Sequence, residues 1–255
     1  MKTTILRKLS FMFILVISMA FSSCDTVLKT AGSLINSNTP LTSTEIGQGL
    51  KQALSIGIDT AVYYLNRENG YYLDQTVKLV LPPETNQLIE YARRVPGLDR
   101  KIEDFIVQIN RSAEDAAGKA APIFKDAITG MKINDAMAIL NGADNAATQY
   151  LKDETYNKLV EVYKPILTES LEKPLVGGVS ASQTWNGIVT QWNKFANSFA
   201  GDLLKVEPVN IKLEDYFTSK ALDGLFVKVE LQEKEIRNNA SARVTALLKR
   251  VFSKQ

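Results

Sequence analysis

Apolar side chains recur every three or four positions along almost the whole of this 255-residue chain, the spacing that lines one face of an α-helix. Thr42 and Glu45 stand at capping-box spacing. Behind them Ile46, Leu50, Leu54, Ile58, Ala61 and Leu65 form one stripe that Asn69-Gly70 ends. Val77, Leu79 and Leu81 instead alternate with period two and stop at Pro82-Pro83, which cannot continue a ladder. This segment reads as extended, either one strand or a fixed arm. Glu84 to Arg94 predicts a short helix closed by Pro96-Gly97.

From Leu98 a long stripe runs through Ile102, Phe105, Ile109, Ala113 and Ala117, narrowing from bulky to small. Pro122 lacks a backbone donor and predicts a kink or break there. Further helices are expected over Asn134 to Leu140, Ala143 to Leu151 and Glu154 to Leu171, the last bent at Pro165. Pro174 to Ser182 reads as a loop, with Ser182 placed to cap a helix carrying Trp185, Trp192, Phe195 and Phe199 on one face. Gly201 to Asn210 reads as irregular. Leu213 to Phe217 predicts one helical turn, and Thr218 starts another helix that runs to Ile236. Asn238-Asn239 breaks it before a final helix marked by Val244, Leu247, Leu248, Val251 and Phe252. The expected fold is all-α, an irregular bundle of about eight to ten helices with kinked long helices and little or no sheet.

The first residues are organised differently. Lys2, Arg7 and Lys8 precede an apolar run from Phe11 to Phe21, then Ser22, Ser23 and Cys24, the single cysteine of the chain. The run is well short of the roughly 20 residues that span a bilayer, so residues 1–23 read as a lipoprotein signal peptide with Cys24 as the lipidated residue. Attachment by two or more acyl chains is stable where one is marginal. Phe21 departs from the leucine usual three residues before such a cysteine. Residues 24–41 read as a linker whose Val27, Leu28, Ala31, Leu34 and Ile35 share a helical face, either docked on the body or lying at the lipid surface. Residues 42–255 form the single helical domain. Secretion across the inner membrane and anchoring in the outer membrane, facing the periplasm, follow as expectations.

Composition narrows the chemistry. The chain has net charge +2, but loss of residues 1–23 removes three basic residues and leaves 27 Lys and Arg against 28 Asp and Glu. No basic patch stands out, so nucleic acid is not an expected partner. Without histidine, and with its one cysteine committed to lipid, the chain lacks the Ser-His-Asp and Cys-His constellations and the preferred ligands of zinc. Neither a phosphate-binding glycine loop nor a dinucleotide motif is present, and no cofactor or metal is expected. Gly47-x-Gly49 and Gly177-Gly178 read as helix-packing and loop glycines.

Two features remain. Glu103, Asn110 and Glu114 flank the apolar stripe of the long helix, half-buried and in need of partners. With Glu233, Arg237 and Arg243 they form a candidate polar seam, read as a paired structural seam or, alternatively, as a ligand or cation site. Trp185, Trp192, Phe195 and Phe199 read as core, or as the lining of a groove for an apolar ligand or amphipathic helix.

The stretches Ile109-Asn110-Arg111-Ser112-Ala113-Glu114, Ala127-Ile128 with Met131, Ala146-Ala147-Thr148 with Tyr150-Leu151, Lys220-Ala221-Leu222-Asp223-Gly224-Leu225-Phe226, and Ala242-Arg243 with Leu247-Leu248-Lys249 stand in this order along the chain. Together they resemble a bacterial family, the domain of unknown function 4197. Asn239-Ala240 departs from the family, which often has proline there. The resemblance covers roughly Leu41 to Phe252. It implies a secreted, often lipid-anchored helical protein and carries no assigned activity. Together these readings give an envelope lipoprotein acting as a non-enzymatic binding or scaffold module, its partner an unidentified envelope protein or small ligand. The alternatives are a carboxylate-dependent or Ser-Lys hydrolase, or a carrier of apolar ligands.

Overall fold

A computed structural model describes residues 40–174 and 178–253. Cys24, the signal segment and the linker lie outside them. Helix α1 (Ser43–Leu65) begins on the capping box: Thr42 Oγ1 accepts from the Glu45 amide, and the Glu45 carboxylate accepts from the Thr42 amide. After α1 the chain turns at Asn69, held at φ 68°. It then forms an arm that turns again between Tyr71 and Lys78 and runs extended only over 78–82, into a 3-10 turn, Pro83–Thr85, and α2 (Asn86–Ala92). No strand forms among the described residues. The arm stays extended without one because a side chain, Asn110, takes the place of a neighbouring strand.

Gly97, at φ 81°, redirects the chain into α3 (Leu98–Ala117). The expected break falls at Gly118-Lys119, just ahead of Pro122. Proline then sits in the first turn of α4 (Ala120–Gly130), where its missing N–H has no intrahelical acceptor to lose. Helix α5 (Ile133–Leu140) ends at Asn141-Gly142 as expected.

The two helices expected between Ala143 and Leu171 are one, α6 (Ala146–Glu172), which continues through Pro165. Its start is governed by a residue far away in sequence, treated below. Likewise the turn at Leu213 to Phe217 and the helix expected from Thr218 are a single α9 (Leu213–Asn238). Thr218 lies buried inside that helix and its hydroxyl donates to the Glu214 carbonyl, so it caps nothing. Both splits placed at polar residues failed because these helices are held by packing along their whole length rather than by local propensity.

Ser180, not Ser182, caps α7 (Ala181–Ala196), in a capping box with Gln183. Phe199 is not on α7: it opens a short α8 (Phe199–Leu203) and is 86% exposed. The final helix, α10 (Ala246–Phe252), starts later than expected on a Thr245 cap and leaves Val244 exposed.

From Thr42 onward the chain forms one compact unit. At its centre α1, α3, α6 and α9 bury Leu65, Ile109, Leu159, Leu167 and Leu222 completely or nearly so. Close approach of helices depends on small residues. Gly49 of α1 lies so near Val251 of α10 that a β-carbon would stand 2.5 Å from Val251 Cγ2. Gly47 faces Ile133 and Ala136 of α5. None of the described helices is long and apolar enough to cross a membrane.

Gly49→Ala is therefore expected to lower unfolding free energy by about 1–2 kcal/mol, overpacking outweighing the helix-propensity gain of about 1 kcal/mol. Urea denaturation at equilibrium measures it.

Candidate functional site

The six polar residues of the predicted seam do not form one seam. Glu103 is exposed and pairs with Arg93 at 2.9 Å on the surface. The others form two groups, buried except for Arg243, and each of their residues bonds backbone, with Glu114, Glu233 and Arg237 also in ion pairs.

The first group sits on α3. Asn110 is fully buried. Its Oδ1 accepts from the Leu79 amide and its Nδ2 donates to the Leu79 carbonyl, both at 2.8 Å, the exchange a neighbouring strand would make. One turn on, the Glu114 carboxylate accepts from the amides of Tyr71 and Tyr72 at 3.1 and 3.2 Å. Its second oxygen accepts from Arg111 at 2.7 Å, and Arg111 also donates to Asn69 Oδ1. The arginine that partners Glu114 is thus its neighbour on α3, not one from the C-terminal helices.

The arm held this way drives Tyr71 and Val77 against Gly224 of α9, whose β-carbon would stand 3.0 Å from each. The Tyr71 hydroxyl donates to the Ala221 carbonyl at 2.8 Å. The Tyr163 hydroxyl lies within electrostatic reach of it yet has no hydrogen-bond partner. Burial pushes both phenols above the ordinary tyrosine range.

The second group joins three helix ends. Asn145 precedes α6 without capping it. Instead the Glu233 carboxylate, from α9, accepts from the amides of Ala147 and Thr148 at 2.9 and 2.8 Å and from the Thr148 hydroxyl. Arg237, one turn further on α9, donates to Glu233 and to the carbonyls of Ile139 and Leu140 that end α5. The anion thus lies at the positive end of α6 and the cation at the negative end of α5, each favoured by the helix dipole. Arg243 donates to the carbonyls of Ile236 and Arg237 and closes the end of α9. All four carboxylate oxygens of Glu114 and Glu233 are occupied, and neither residue is more than 7% exposed. Among the described residues no cluster of three or more Cys, His, Asp or Glu is placed to hold a metal ion.

The aromatic stripe of α7 divides. Trp185 is buried beside a small cavity of about 30 Å³ that also touches Ile102 and Phe105. Trp192 is anchored by its Nε1, which donates to the Glu207 carbonyl at 2.9 Å. Asn193 exchanges two hydrogen bonds with the backbone of Val209, a partner that no sequence pattern announced. Past these, Trp192 and Phe195 face α2 across an open groove of about 570 Å³, walled also by Leu88, Tyr91, Val95 and Ile188 and almost free of polar surface. Tyr91 and Trp192 lie with ring centroids 5.7 Å apart. Gly187 lines the groove, and a β-carbon there would meet nothing within 4 Å.

Three outcomes test the buried groups. Glu233→Gln and Arg237→Met are each expected to cost about 3–5 kcal/mol, the double variant less than the sum, because either alone leaves a buried charge without its partner. Glu114→Ala strands two amides and Arg111 and is expected to cost about 2–4 kcal/mol, against about 1 kcal/mol for the half-exposed Arg243→Ala. Equilibrium urea unfolding reads all of these.

The tyrosines give a pH test. The folded protein keeps phenolic protons that the unfolded chain releases above about pH 10, so stability present below that pH is lost as pH rises through it. Tyr163→Phe is expected to leave stability at pH 7 unchanged or higher by up to ~1 kcal/mol and to reduce the alkaline loss in urea titrations at pH 9 to 11.

No curated protein and no solved structure matches the chain. A family described as protein of unknown function (DUF4197) matches residues 40–253, from the residues before α1 to the end of α10. The chain belongs to this family.

Proposed function

We propose that this protein is a lipid-anchored envelope protein whose helical body is a non-enzymatic binding module, with the groove between α2 and α7 as its contact surface. The observation that carries the reading is the contrast between the two kinds of site. The buried carboxylates are occupied by backbone amides, by Arg111 and Arg237 and by the Thr148 hydroxyl, and they are closed to solvent, so they offer a substrate no approach. The groove is open, apolar and rigidly walled, with Trp192 pinned by its own hydrogen bond. A preformed concave apolar surface of this size is what peptide and protein recognition uses.

Carboxylate-dependent chemistry requires a carboxyl that faces a cleft, and Glu103, the exposed member of the predicted set, stands on the surface in an ion pair. Carriage of apolar ligands calls for an enclosed cavity. The cavities beside Trp185 and beside the Glu233–Arg237 pair hold about 30 and 20 Å³, room for about one water each. The anchoring half of the proposal rests on the sequence around Cys24, with the outer membrane as its expected location.

Two results test it. Radiolabelled palmitate is expected to enter the wild-type chain and not Cys24→Ser, with the mature N terminus at residue 24; an unlabelled wild-type product contradicts the anchor. Gly187→Leu, which fills the groove without a clash, is expected to keep or raise the melting temperature while abolishing the shift in Trp192 emission that envelope extract produces in the unmodified groove. An identical shift in both proteins removes the groove from the proposal.

A further inference from the structure

The groove is part of a larger apolar surface. At its Phe195 end, α8 folds against the last turn of α7, with Gly201 packed on the carbonyls of Phe195 and Ala196. That packing turns Phe199, Leu203 and Leu204 outward, 86%, 72% and 62% exposed. Tyr91, Val95 and Phe195 on the groove walls are 52%, 53% and 37% exposed. One end of the body therefore carries a concave apolar site and a convex apolar knob next to each other.

Resting on the binding reading above, we infer that this surface is a two-fold interface between copies of the chain, the α8 knob of each copy seated in the α2–α7 groove of the other. Two considerations select a second copy as the occupant.

The first is shape. An amphipathic helix laid in the groove covers the concavity and leaves the knob in water, and a bilayer surface does the reverse. A second copy related by a two-fold axis covers both at once, since such an interface pairs a patch with itself.

The second is area. The exposed parts of the six side chains amount to roughly 600 Å² when aromatic side chains carry 150–250 Å² each. That equals the largest apolar patches usual on monomers and supplies most of the roughly 800 Å² per partner of a standard interface. The rim does not oppose self-association, because exposed Glu90 and Asp202 balance exposed Arg94 and Lys194.

The test uses the full chain in intact envelopes, with benzoyl-phenylalanine in place of Leu203 and ultraviolet irradiation. The expected product has twice the mass of the chain, its cross-linked peptide joins residue 203 to α2 or α7, and adding Gly187→Leu lowers its yield at least tenfold. The same photoprobe at Tyr63, exposed on α1, gives none. A cross-link to a different protein or to lipid overturns the second copy while leaving a binding surface in place. No adduct from residue 203 overturns both the pairing and the use of this surface, whatever palmitate labelling shows at Cys24.

Discussion

Every buried peptide group must find a hydrogen-bond partner, and in this protein that requirement is hardest where helices stop inside the body. A bundle of regular up-and-down helices ends in solvent, where water satisfies the terminal amides and carbonyls. Here α5 ends, α6 begins and α9 ends close together and under cover. The Glu233–Arg237 pair resolves two of these ends, an acceptor for the start of α6 and a donor for the end of α5, and Arg243 closes the end of α9. The same logic recurs on α3, where Asn110 and Glu114 satisfy an arm that has no strand beside it. Charged and amide side chains thus act as the missing secondary structure. Their burial would be costly without these bonds, and with them it fixes the order in which helices can pack.

This arrangement separates stability from recognition. The acidic residues that a reader of the sequence would choose for catalysis are spent on the backbone. The open groove between α2 and α7 is instead lined by apolar side chains.

Much of the fold was legible in the sequence because it rests on local signals. The Thr42 capping box, the proline break before α4 and the Asn141-Gly142 stop each depend on residues a few positions apart. The misread places are those where a distant partner decides. Nothing near Asn145 shows that α6 is capped from Glu233, so its start was placed too early and the helix was split. Thr218 has the chemistry of a cap and was read as one, yet packing carries α9 straight through it.

The site followed the same division. Glu103, Asn110 and Glu114 read as half-buried residues in need of partners, since polar side chains on the edge of an apolar stripe imply as much, with Glu233, Arg237 and Arg243 as candidate partners; the reading holds for Asn110 and Glu114 and fails for the exposed Glu103. That their partners are backbone groups, in two separate places, was not legible. A side chain's neighbour in sequence is visible, but the amide it meets 86 positions away is not. Tyr71 and Asn193 were missed altogether, because an aromatic in a turn and an amide on a helix carry no distinguishing pattern.

The claim that side chains replace secondary structure at these ends is tested most directly by native-state hydrogen exchange at the amides of Tyr71, Leu79, Ala147 and Thr148. These lie in an arm or a first helical turn, where exchange is ordinarily fast. The account predicts that they exchange only through global unfolding, as slowly as the middle of α6. Exchange at the rate of frayed helix ends would contradict it.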